Sequence, residues 1–356
     1  MRRADRESAA VIGSFVLIAL TLAAAVTGVV SMEPDRSAAL SGRPASIVIA
    51  APVAPSRPPV LLGPVLATQG YSLPAGVSVY AAEVISSGDD GLRRFEYWAG
   101  DGAYGNDAFW PASSLKLLVA LGALDFVQSL GFTGAAVITS GDGWTRTVRD
   151  LAEAAVKDSS NEAYDMLVQV AGFDRLNTSF LSSGKGFPAT VIQRSYSGID
   201  IRSSPAMTIT EGGRTRTVAA RTSRVEYDCP GEGNCSSLFE MAHSVERVVL
   251  DADLSPGERL DLDPQDVRAL TGNLQAAGPF MQPGVKRALG ASAIVYGKPG
   301  WVSGADCVDV GVVEDVRAGR TYVLGVSSPD TGPGCDLIVE VAEQVLLAIE
   351  ADNQRE

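Results

Sequence analysis

Histidine is almost missing from this chain: His243 is the only one in 356 residues. Cysteine is scarce too, with Cys229, Cys235, Cys307 and Cys335 and no C-x-x-C or H-x-x-x-H spacing. That leaves little from which to build a zinc centre, so no metal and no cofactor is expected. Positive charge is in deficit. With 29 Lys+Arg against 42 Asp+Glu the net charge is −13, which argues against nucleic acid as a partner. A Ser-His-Asp arrangement would have to use His243, which lies in the helical stretch Phe239 to Val245, and no G-x-S-x-G elbow is present. We read His243 as a surface or helix-packing residue.

Chemistry without histidine needs another base, and Ser113 and Lys116 supply a candidate. They stand three apart in Phe109-Trp110-Pro111-Ala112-Ser113-Ser114-Leu115-Lys116. Residues i and i+3 share a helix face, and Pro111 suits a helix entry. Leu115, Leu117, Leu118, Leu121 and Leu124 give that helix an apolar body, read as core packing. Ser113 would sit in the first turn, where unpaired backbone N–H groups favour developing negative charge. A lysine held partly desolvated beside it can lose its proton near neutral pH and act as its base.

The N-terminus carries Arg2, Arg3 and Arg6, then an uncharged run from Ser8 to Met32, about 25 residues and enough to cross a bilayer. Residues 1–32 are read as a signal anchor, or alternatively a cleaved signal peptide. Either reading exports the rest of the chain, to a membrane-held extracytoplasmic domain or to secretion. Residues 33–75 hold eight of the 19 prolines and read as an extended stalk. Export permits disulfides. Of three connectivities we prefer the local one, Cys229–Cys235 and Cys307–Cys335. The longer loop would then contribute about 3 kcal/mol.

Residues 76–356 read as one α+β domain. Val77–Val84 and Arg93–Trp98 alternate as strands around a Gly88–Gly91 turn. Helical segments follow from Ala112, from Arg149 to Val170, and from Cys235 to Leu250. Strand-like runs return at Ser292–Tyr296, Val308–Val313 and Thr321–Val326, before a last amphipathic helix, Leu337–Ile349. The two ends of the chain would complete one antiparallel sheet flanked by helices. Gly100-Asp101-Gly102-Ala103-Tyr104-Gly105 fits G-x-G-x-x-G, but Pro111 and the serine motif follow it, so a turn after a strand is expected.

Two further triplets join the first. Ser159-Ser160-Asn161 opens a helical run, and Lys298-Pro299-Gly300 follows a late strand-like run. With Ser113-x-x-Lys116 they resemble the S-x-x-K, S-x-N and K-T-G motifs of the serine β-lactamase and penicillin-binding protein superfamily, class A β-lactamases most of all. Phe109 to Ser113 resembles its F-x-P-A-S lead-in, and Ser159 to Leu167 its S-D-N-x-A-x-x-x-L helix. The resemblance implies a β-lactamase/transpeptidase-like fold with an all-helical subdomain. It implies a serine hydrolase that forms an acyl-enzyme with a β-lactam, or a D,D-peptidase acting on the peptidoglycan stem peptide. The remaining alternative is a non-catalytic cell-wall-binding module. By the same resemblance Ser113 is the nucleophile, Lys116 its base and Ser159 the proton relay to the leaving nitrogen. Asn161 orients Lys116 and a substrate amide, and Lys298 draws the substrate carboxylate. The N–H groups of Ser113 and Trp301 form the oxyanion hole, with Gly300 beside them.

Three departures accompany the match. The E-x-x-L-N loop that carries the deacylating glutamate in class A corresponds to Ile192-Gln193-Arg194-Ser195-Tyr196-Ser197, which has no acid; Glu211 and Glu226 come later. Pro299 replaces the motif's hydroxyl residue, and Ser303 is offered as its substitute. No helix is expected before the first strand.

Overall fold

The computed structural model describes residues 58–86, 91–103, 109–182, 185–231, 233–330 and 335–353. The expected signal segment, most of the stalk, the Asp89–Asp90 turn and Tyr104–Gly105 lie outside them. In chain order the elements are β1 (Val60–Leu61), α1 (Leu62–Ala67), β2 (Ser78–Ser86), β3 (Leu92–Ala99), a 3₁₀ turn (Ala112–Leu115) and α2 (Lys116–Ser129). Then come β4 (Val137–Ser140), β5 (Thr145–Thr147), α3 (Val148–Val156), α4 (Asn161–Ala171), α5 (Phe173–Arg175), β6 (Ser203–Ser204), β7 (Met207–Glu211), β8 (Arg214–Val218) and β9 (Arg221–Thr222). The chain closes with α6 (Leu238–Val249), α7 (Pro264–Ala276), α8 (Gln282–Leu289), β10 (Ile294–Val302), β11 (Asp306–Asp315), β12 (Arg320–Pro329) and α9 (Asp336–Asn353).

One six-stranded sheet, ordered β1-β3-β2-β12-β11-β10, organises the domain. The expected closure is there: β2 from the front of the chain pairs antiparallel with β12 from its end, Val323 opposite Ala82. Alternation along β2 sends Tyr80, Ala82 and Val84 into one apolar cluster and Val79 and Ala81 into another. The first cluster is completed by α2, α3, α4, α6 and α7, the second by α1, α8 and α9. The architecture is therefore α+β, with helices on both faces of an essentially antiparallel sheet.

The N-terminal boundary differs from expectation. Residues 60–67, assigned to the stalk by their proline-rich surroundings, fold onto the domain. β1 pairs in parallel with β3, and α1 buries Leu62 and Leu66 completely. A short helix thus does precede the first long strand. The helical half also carries a small sheet, β5-β4-β7-β8, that the sequence did not reveal. Its strands are short and rich in Thr and Arg, with little apolar alternation. Both expected disulfides are present, Cys229–Cys235 and Cys307–Cys335.

Segment Ala112–Ser129 is apolar and long enough to span a bilayer, but 83% of it is buried inside the domain. Its apolar character serves the core, as the leucine stripe predicts. A close helix contact lies elsewhere. A Cβ added at Gly284 on α8 would overlap the backbone carbonyl oxygen of Val339 on α9. Backbone cannot yield as a side chain does, so Gly284→Ala is expected to destabilise the domain by about 3 kcal/mol. Urea unfolding of the full-length protein, read as a fall in midpoint at unchanged slope, checks this.

Candidate active site

Phe109 enters the site hydrogen-bonded in both directions to Ser236, N to O at 2.9 and 3.1 Å. Pro111 then starts the 3₁₀ turn, accepting from Ser114 N at 3.1 Å. In a 3₁₀ turn residues i and i+3 eclipse, which sets Lys116 directly in line with Ser113. The expected α-helix begins only at Lys116, one turn later than the pattern predicts. Ala112 is held at φ 48° and Ser159 at φ 57°, two of the three non-glycine residues with positive φ among those described. Such conformations cost about 1–3 kcal/mol each and persist only where surrounding structure enforces them. Both flank the same group of side chains.

Lys116 is wholly buried. Its Nζ donates to Asn161 Oδ1 at 2.7 Å and to the Ser159 carbonyl, and lies 3.4 Å from Ser159 Oγ. Lys298, equally buried, reaches the same Oγ at 3.0 Å and the Pro299 carbonyl at 3.1 Å. The Ser159 hydroxyl thus bridges two amines. Helix α4 fixes this geometry: Ser160 caps it by accepting from Ala163 N at 3.1 Å, which presents Asn161 at its first turn.

Burial pushes Lys116 down to about 7, with the charge of Lys298 adding to the effect and Asp165 opposing it. Burial also lowers Lys298, to about 8, with Asp309 opposing. Near neutrality one amine is thereby poised to be a base and the other to keep its charge. Asp309, on β11, is itself pushed up to about 7 by burial and accepts from Met281 N at 2.8 Å.

Strand β10 continues through Lys298, Pro299 and Gly300 instead of ending before them. Pro299 is tolerated because, among the described strands, β10 is the sheet edge and pairs only with β11. Gly300 is required by contact: its missing Cβ would lie 2.8 Å from Pro111 O and 2.9 Å from the N atoms of Ser113 and Ser114. The edge strand therefore rests directly on the serine turn.

A cavity of about 220 Å³ opens at this junction, lined by Ser113 and Asn161 together with Trp110, Tyr196 and Trp301. Ala112, Val302 and Arg194 complete it. Four of the expected residues, Ser113, Lys116, Ser159 and Lys298, are thus brought to one place with Asn161 and Gly300, and Trp301 forms part of the wall. Ser303 is not: it sits exposed in the turn after β10 and is absent from the cavity lining. Trp301 is 53% exposed and donates from Nε1 to Asp330 at 3.1 Å.

Tyr196 and Arg194 as lining residues, and Asp165 beneath them, escaped the sequence reading. Tyr196 donates its hydroxyl to Ala112 O at 2.7 Å and stacks on Tyr164 with centroids 4.4 Å apart. Its N–H and that of Ser197 donate to the Asp165 carboxylate at 2.9 and 2.8 Å. Asn234, beside the Cys229–Cys235 bridge, accepts from Gln193 N and Arg194 N at 2.8 and 2.9 Å. One available signal was the position of Asp165 four residues after Asn161, on one face of α4. Among the described residues no acid lines the cavity. Glu211 instead accepts from Thr133 N at 3.0 Å, and Glu226 is a surface residue near Arg202. His243 is buried against Phe239 and pairs with Glu246 at 2.7 Å, the helix-packing one of its two expected roles.

The family model for the Beta-lactamase enzyme family (Beta-lactamase2) matches residues 101–347. The chain belongs to that family. Solved structures agree on the fold. PBP-A is 18% identical with a TM-score of 0.56, over 84% of this chain and all of its own. TLA-3 extended-spectrum beta-lactamase is 12% identical, TM-score 0.54, covering 82% and 98%. The last common ancestor of Gram-negative bacteria beta-lactamase class A is 20% identical, TM-score 0.53, covering 82% and 97%. PBP-A has also been solved, as a variant, in an acyl-enzyme complex with penicillin G. No curated protein sequence matches the chain. This Beta-lactamase2 domain is thus a β-lactamase-like serine hydrolase fold with its buried lysines and bridging serine in place.

Proposed function

We propose that this protein is acylated at Ser113 by β-lactams and releases the product slowly, as penicillin-binding proteins do. The observation that carries the reading is the Ser159 hydroxyl shared between two buried amines, beside a cavity into which Ser113 opens. Neutral Lys116 takes the Ser113 proton while Ser113 Oγ attacks the lactam carbonyl. The backbone N–H groups of Ser113 and Trp301 hold the oxyanion, each such donor contributing about 3 kcal/mol. As the C–N bond breaks, Ser159 passes a proton to the departing nitrogen and is reprotonated by Lys116. Charged Lys298 attracts the substrate carboxylate. Hydrolysis of the ester needs an activated water, and none of the described residues lining the cavity is a carboxylate that could make one. A stem peptide ending in D-Ala-D-Ala presents the same acyl chemistry and is the natural substrate we assign. Export fits the uncharged Ser8–Met32 run, and membrane attachment through it is part of this proposal. A chromogenic cephalosporin should give a burst of one product per protein followed by a slow phase. Fast sustained turnover would make this chain a true β-lactamase instead.

The acylation rate should depend on pH as a narrow bell. Raising pH through about 7 deprotonates Lys116 and speeds the reaction. Raising it further through about 8 discharges Lys298 and slows it. The second-order acylation constant, followed by quenched-flow mass spectrometry from acid to alkaline pH, checks both limbs.

A further inference from the structure

A second cavity, of about 270 Å³, shares no lining residue with the first. It opens where α5 meets the short β6–β9 pair, and three arginines line it: Arg175, Arg202 and Arg221. In a chain of net charge −13 that local concentration is unusual. Arg221 reaches the last carbonyls of α4, donating to Gln169 O at 2.8 Å, Val170 O at 3.0 Å and Ala171 O at 3.2 Å. Its Nε–H is left buried with no acceptor among the described residues. Arg175 pairs one terminal nitrogen with Asp125, and its other, Nη1, is likewise buried and unpartnered. The guanidinium groups of Arg175 and Arg221 both lie over the ring of Phe126, 5.5 and 4.9 Å from its centroid. Burial and the neighbouring charge of Arg175 hold the Arg221 guanidinium below its usual range.

Carboxylates answer this only in part. Asp174 in the lining is occupied by the hydroxyls of Ser223 and Tyr227. Glu226 reaches Arg202 at 3.5 Å but is 76% exposed, and so is a screened partner. Arg202 itself lies over Phe173, 5.8 Å from the ring. Two guanidinium nitrogens, Arg175 Nη1 and Arg221 Nε, thus lack acceptors among the described residues, and Arg202, Ser204 and Thr222 line the same cavity.

We propose that this cavity binds a phosphoryl oxyanion, either free phosphate or a phosphate monoester. A tetrahedral anion offers several acceptors at once, which suits three arginines lining one cavity from different segments of the chain. The ligand would sit at the C-terminal end of α4, the helix whose first turn carries Asn161.

Thermal unfolding of the full-length protein tests this with inorganic phosphate and glycerol phosphate, each against chloride at constant ionic strength. The proposal expects a saturable rise in Tm below about 20 mM for at least inorganic phosphate. A rise with both identifies the phosphoryl group as the recognised unit; a rise with phosphate alone identifies the free ion. Arg202→Gln, at a half-exposed position, should fold as before and bind about tenfold more weakly. No saturable rise in the unaltered protein overturns the proposal, and so does an identical rise in Arg202→Gln.

Discussion

Lys116→Met should lower the rate of Ser113 acylation about 10³-fold, within the usual range for losing a positioned base. Methionine keeps the length and most of the volume of the lysine stem but supplies no proton acceptor. The fold should survive because two effects oppose. Removing a wholly buried amine relieves its desolvation. Against that, Asn161 Oδ1 and the Ser159 carbonyl each lose a donor, at about 1–3 kcal/mol per buried group. The residual reaction should also lose its rise near pH 7, since the group responsible is gone. Stopped-flow acylation by a chromogenic cephalosporin, read across pH, measures both changes. A variant that kept the acidic limb would assign it to another group.

Gly300→Ala should lower acylation by about 10²–10³-fold, the range seen when one oxyanion donor is lost. The added methyl meets only backbone: Pro111 O at 2.8 Å and the N atoms of Ser113 and Ser114 at 2.9 Å. It cannot rotate away, so β10 must lift from the 3₁₀ turn. That movement takes Trp301 N away from Ser113 N while leaving Ser113, Lys116 and Ser159 chemically intact. A stability loss of about 1–3 kcal/mol should accompany it, as for other overpacked contacts. A small change in Tm with a large fall in acylation would separate this from simple unfolding.

What was legible in the sequence follows from range. Ser113 and Lys116 lie one turn apart, and Ser159 and Asn161 flank a helix cap, so local geometry places each pair. Long strands such as β2 and β11 announce themselves by alternating apolar residues. Lys298 was recognisable by its motif but was placed after a strand, because Pro299 reads as a breaker unless the strand is known to be an edge. Edge position is a property of the whole sheet. The same applies to Tyr196, whose contacts to Ala112 and Asp165 cross 84 and 31 residues of chain. Helix α1 was hidden by the prolines around it, since composition describes the neighbourhood, whereas Leu62 and Leu66 are buried by long-range packing with α9 and the sheet. Ser303 failed as a substitute hydroxyl because the strand ends at Val302 and the turn carries it outward.

The central claim is a long-lived ester on Ser113, and intact-mass analysis of the full-length protein with penicillin tests it most directly. The predicted result is one penicilloyl adduct per chain, mapped to the Ser113 peptide, persisting while free penicillin remains largely unhydrolysed, and absent from Ser113→Ala. No adduct and no turnover from folded protein, or an adduct retained in Ser113→Ala, would contradict it.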